Sequence, residues 1–113
     1  MYLYPPRVFV NMKLFEELSD AELSRLWNTI VKHVNKIKIT DKDVEAITDF
    51  GYGIDRIAPV VDRALDEMGV KVNYIDDDYD PFGYNDKVYY TFVESFFEPA
   101  VLVFIERVKK AFY

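Results

Sequence analysis

Cysteine is absent from all 113 residues, which excludes a disulfide framework and a thiolate metal site and suits a reducing compartment. Histidine occurs once, at His33. It has no serine, cysteine or histidine partner at a catalytic spacing, so a nucleophilic triad is excluded, and it reads as a surface residue bordering a helix's polar face. Of the four glycines, Gly51 and Gly53 flank Tyr52 after a helical pattern, not a strand, so they read as a turn between helices and not as a phosphate-cradling loop. No apolar run approaches the ~20 residues that cross a bilayer. The opening Met1-Tyr2-Leu3-Tyr4-Pro5-Pro6-Arg7 lacks the basic and apolar regions of a secretion signal. These absences give an expectation of a cytoplasmic protein with no enzymatic activity and no cofactor.

What is present is apolar and aromatic. Half of the residues are hydrophobic and nineteen are Phe, Tyr or Trp, enough to bury one core and far from the composition of disordered chains. A single domain over residues 1–113 is expected. Charge is distributed unevenly. Residues 41–86 carry thirteen of the twenty carboxylates against four basic side chains, Lys42, Arg56, Arg63 and Lys71. The flanks are slightly basic, so the net charge of −6 is a regional field. Such a field repels phosphates and steers basic partners toward one face.

The chain opens with an extended segment, Arg7 to Val10, after Pro5-Pro6, and Asn11 can cap a short helix over Met12 to Leu18. Ser19 with Glu22 forms a capping box. The long helix it starts carries Leu23, Leu26, Trp27, Ile30, Val34 and Ile37 on its core face. Ile37 to Thr40 reads as a one-bridge strand, and Thr40 with Asp43 caps a helix from Lys42 to Phe50 that stops at the Gly51-Tyr52-Gly53 turn. A third helix bears Ile54, Ile57, Ala58, Val61, Leu65 and Met68, with Pro59 in its first turn and Gly69 as its left-handed cap. Val70–Ile75 and Lys87–Val93 alternate as β-strands and are expected to form a hairpin. Ser95 to Glu98 repeats the capping spacing ahead of a closing helix that is apolar on much of its girth, so it either crosses the core or pairs with a second copy.

This order of helices, short strand, glycine turn and hairpin resembles the winged helix, a helix-turn-helix variant. The resemblance spans residues 20–93 and is most specific at Pro59-Val60-Val61-Asp62-Arg63-Ala64-Leu65-Asp66-Glu67-Met68-Gly69, which looks like a recognition helix leading into a wing. It implies an α+β fold, a small winged-helix-like domain with a two- to three-stranded antiparallel sheet and a C-terminal helix. It also implies DNA binding, with Arg56 and Arg63 among the residues meeting bases. The charge departs from that pattern. Asp55, Asp62, Asp66 and Glu67 occupy the same face, and the wing tip would be Asp76-Asp77-Asp78-Tyr79-Asp80, where a DNA binder offers Lys and Arg.

Asp76, Asp78 and Asp80 have the alternate spacing of the first calcium ligands of an EF-hand, yet Pro81 and Lys87 stand where that loop needs glycine and glutamate. A solvated acidic turn is the simpler reading, and no metal site is expected. Tyrosines interleave with these carboxylates, and Tyr79 and Tyr84 are the candidates for exposed anchors. The sequence therefore leads to a non-enzymatic acidic protein-binding domain, an inhibitor or immunity-type protein engaging a basic, nucleic-acid-processing partner. Its binding residues would be Asp62, Asp66, Asp76, Asp77, Asp78, Tyr79, Asp80 and Tyr84. The alternative is a winged-helix transcriptional regulator that reads DNA through Arg56 and Arg63. In either case the C-terminal helix is available for a homodimer, and no membrane is involved.

Overall fold

In the computed structural model of the chain, residues 13–72 and 84–112 are described. Helix α1 (Asp20–Asn35) starts at the expected capping box: Glu22 N–H donates to Ser19 Oγ at 3.2 Å and Ser19 N–H donates to Glu22 Oε1 at 2.9 Å. Its Leu26, Ile30 and Val34 are fully buried. A second box, Thr40 with Asp43, opens the short α2 (Asp41–Glu45). Helix α3 (Phe50–Met68) ends at Gly69, whose φ of 67° and ψ of 38° lie in the left-handed region that favours glycine. The long C-terminal helix is built from α4 (Tyr84–Phe92), a π-helical turn (Val93–Phe97) and α5 (Glu98–Phe112) without a break. It packs with α1 and α3 around one core.

The fold is therefore mostly α, which corrects the expected α+β winged-helix arrangement. The antiparallel hairpin does not form. Among the described residues of its first arm, Val70–Lys71 is a strand, and it pairs in parallel with Lys13–Leu14, in the register Lys13↔Val70 and Leu14↔Lys71. The second arm, Lys87–Val93, is helical. Its Val, Tyr and Phe residues favour strand locally. Burial favours helix: Val88, Phe92, Phe96, Ala100, Phe104 and Val108 recur every four residues and all are buried.

A strict four-residue repeat advances by about 40° per step in a regular α-helix, so five steps would carry this stripe about 200° around the axis. The π turn inserts a residue, worth about 100° of rotation, and takes up roughly half of that drift. In this turn Glu98 N–H bonds the carbonyl of Val93, five residues back. Pro99, which has no amide to donate, follows at the point where the ladder changes register. Pro99 and Ser95 are thus interior to one helix instead of opening a new one.

The glycine turn is also absent, because Asp49 caps α3 by accepting from Tyr52 N–H at 3.2 Å and both glycines are helical. Gly53 has a packing reason. A Cβ there would lie 2.9 Å from Val101 Cγ1, so its missing side chain lets α3 approach α5. Pro59 lies inside α3, on its exposed side. In place of the helix expected from Met12 to Leu18 stand the strand Lys13–Leu14 and a 3-10 turn, Phe15–Glu17, closed by Leu14 N–H donating to Glu17 Oε1 at 3.0 Å. Phe15 fixes it to the core, with its ring edge-on to Phe92 and Phe96 at centroid distances of 5.4 and 5.5 Å.

Ile37 to Thr40 forms no strand among the described residues. Its carbonyls and the end of α1 are met by arginines: Arg107 Nη1 donates to Val34 O and Ile37 O at 2.9 and 2.8 Å, and Arg56 Nη2 donates to Lys38 O at 3.2 Å. The segment Lys87–Ala111 is a 25-residue helix, long and apolar enough by length and composition to cross a membrane. That corrects the expectation of no such run. Its buried stripe is occupied by the bundle, while Leu102 and Tyr90 remain 58 % and 52 % exposed.

Candidate partner-binding face

Helix α3 separates its charges into those the fold consumes and those it leaves open. Arg56 belongs to the first group. Its Nε lies 3.0 Å from Asp43 Oδ1, its Nη2 lies 3.4 Å from Asp43 Oδ2, and its guanidinium sits 5.8 Å from the centroid of the Phe104 ring. Asp43 is completely buried and also accepts from the Tyr52 hydroxyl at 2.6 Å and from Thr40 N–H at 2.9 Å. Burial pushes the Asp43 carboxyl up, but the bonds from Arg56, Tyr52 and Thr40 outweigh it and hold the pKa at about 2. Arg56 is therefore a structural cation clamping α3 to α2. The expectation that it faces DNA bases is corrected on that ground.

Glu67 is consumed as well. It accepts from His33 Nε2–H at 2.8 Å and from Lys32 Nζ at 3.2 Å, so these partners lower its carboxyl pKa and tie α1 to α3. His33 accordingly has a side chain only 12 % exposed and an acidic partner, in place of the free surface position expected of it.

The second group is Asp55, Asp62 and Asp66. They stand at i, i+7 and i+11 on α3, are all exposed, and form no hydrogen bond or ion pair among the described residues. Asp62 and Asp66 are one turn apart, a like-charge spacing that costs a helix about 0.2–0.5 kcal/mol. Partial burial and then the Asp66 charge raise the Asp62 carboxyl above its ordinary pKa. Arg63 is exposed beside them and also has no ion pair among the described residues.

Asp62 borders a partly enclosed crevice of about 40 Å³ lined by Val61, Leu65, Val72, Tyr89, Phe92 and Phe97. The crevice exists because α4 is a helix. No sequence signal marked it, since its lining comes from α3, Val72 after the strand Val70–Lys71, α4 and the π turn. Of the expected binding residues, the structure brings Asp62 and Asp66 onto one open face. Asp76, Asp77, Asp78, Tyr79 and Asp80 lie outside the described residues, and of Tyr84 only the backbone, at the start of α4, is described. Among the described residues no group of three His, Asp or Glu side chains is placed to hold a metal ion. No family model, curated protein or solved structure matches the chain.

Proposed function

We propose that this chain is a non-enzymatic, cytoplasmic binding domain that presents the α3 carboxylates, together with the acidic run 76–80, to a basic protein surface. The partner class is a nucleic-acid-processing protein, whose cationic site an inhibitor or immunity-type protein covers with carboxylates in place of phosphates. One observation carries this reading. Among the described residues the fold supplies cations to Asp43 and Glu67 but leaves Asp55, Asp62 and Asp66 open on a single face. Open like charges cost the free domain stability and raise the rate and selectivity with which an oppositely charged partner docks.

The DNA-reading alternative is weakened, because of its two arginines only Arg63 is exposed and without an acidic partner among the described residues. The test is capture of host proteins on the immobilised chain at low and high salt, repeated with Asp62→Lys/Asp66→Lys and with Asp76→Lys/Asp78→Lys/Asp80→Lys. Retention of a basic nucleic-acid enzyme that both reversals abolish is the expected result. Retention that ignores both reversals refutes the reading, as does recovery of specific DNA fragments.

A further inference from the structure

We infer that the crevice beside Asp62 is a receptor pocket for one basic side chain of the partner, a lysine or arginine whose stem lies along the apolar lining and whose cation meets the Asp62 carboxylate. This rests on the acidic-face reading and adds to it a definite point of attachment. A volume of about 40 Å³ corresponds to about three water-sized groups. That is too little for a folded element or an aromatic ring, and it matches the last methylenes and the ammonium of a lysine.

The chemistry of the walls fits the same occupant. Val61, Leu65, Val72, Phe92 and Phe97 are apolar, as an aliphatic stem requires. Tyr89 adds an aromatic ring, a surface that attracts cations. Asp62 is the one carboxylate among the described lining residues, and it forms no ion pair among the described residues. An anionic ligand would meet Asp62 and Asp66 together. A purely apolar ligand would cover the Asp62 carboxylate without supplying a donor, which is unfavourable for a charged group. A cation on a flexible apolar stem satisfies both requirements.

The probe is hexalysine, with fully acetylated hexalysine as its uncharged control, titrated into the whole chain labelled at its Val and Leu methyls. Saturable shifts at Val61, Leu65 and Val72 with hexalysine but not with the acetylated peptide are expected. D62N should weaken that response about tenfold, the loss of one charge-assisted bond, whereas D55N, on the same face but outside the crevice, should leave the crevice signals responding. Binding of hexalysine that is equally reduced by D62N and D55N, with the lining methyls unmoved, overturns the pocket and leaves the acidic-face reading standing. Absence of any hexalysine binding at low salt overturns both. Nuclear Overhauser contacts in the free chain between residues 73–83 and the lining methyls also overturn it, because the chain's own segment would then be the occupant.

Discussion

Replacing Asp43 by asparagine should be the most damaging conservative change on this surface-distant network. The substitution keeps the shape but removes the charge that Arg56, Tyr52 and Thr40 converge on. Breaking a buried pair by deleting one charge costs about 3–5 kcal/mol when both groups are dry. The Arg56 side chain is 31 % exposed, so it can partly rehydrate, and a loss of about 2–3 kcal/mol is expected.

The lowered Asp43 pKa points in the same direction. The Asp43 pKa is held at about 2 against an ordinary value near 3.9, and at about 1.4 kcal/mol per unit this is worth about 2–3 kcal/mol. The sign follows from the direction of the shift. A carboxyl with a lowered folded-state pKa contributes its full stability above its unfolded value and loses it as pH falls toward the folded one. Urea unfolding followed by circular dichroism should therefore show a gap between wild type and D43N that is constant from about pH 7 to pH 5 and narrows between about pH 4 and pH 2. A gap below about 0.5 kcal/mol at neutral pH, the range of ordinary surface substitutions, would refute the reasoning. So would a gap that ignores acid.

Other changes test other joints. Gly69→Ala should cost about 1–2 kcal/mol in urea unfolding, because Gly69 is held at a φ of 67° that other residues adopt only with strain. Arg107→Gln removes the charged donor that closes the carbonyls of Val34 and Ile37, and should lower stability by about 1–3 kcal/mol in the same assay. Asp62→Asn should stabilise the free domain by about 0.2–0.5 kcal/mol, since it relieves repulsion from Asp66. A measured destabilisation would show that Asp62 has a structural role instead.

Local chemistry was legible in the sequence wherever a side chain and a backbone amide three residues apart decide the outcome. Both capping boxes, at Ser19 and Thr40, and the left-handed stop at Gly69 are of this kind. Composition misled where two periods compete. Val88, Tyr89, Tyr90 and Phe92 look like a strand over seven residues, and only the four-residue burial repeat continuing to Val108 shows a helix. The glycines flanking Tyr52 failed as turn signals for a different reason, since Gly53 is chosen for its contact with Val101, a partner 48 positions away. Distance in sequence likewise hid the Asp43–Arg56 pair. The open carboxylates of α3 were legible because exposure follows from helical periodicity alone. The crevice was not, because it requires the fold.

The pairing of Lys13–Leu14 with Val70–Lys71 closes a ring of about 57 residues around α1 and α3. The length-dependent part of closing such a ring is about 3.6 kcal/mol, more than a two-residue ladder returns at about 0.5–1.5 kcal/mol per hydrogen bond. The ladder must then form after the helices have already brought its ends together, as the last clasp of assembly and the first to open. In native-state hydrogen exchange the Lys13 amide, bonded to Gly69 O at 2.7 Å, should exchange well ahead of the amides in the middle of α1. Opening of the clasp should therefore free Lys13–Leu14 and Val70–Lys71 from each other while the three-helix core stays intact.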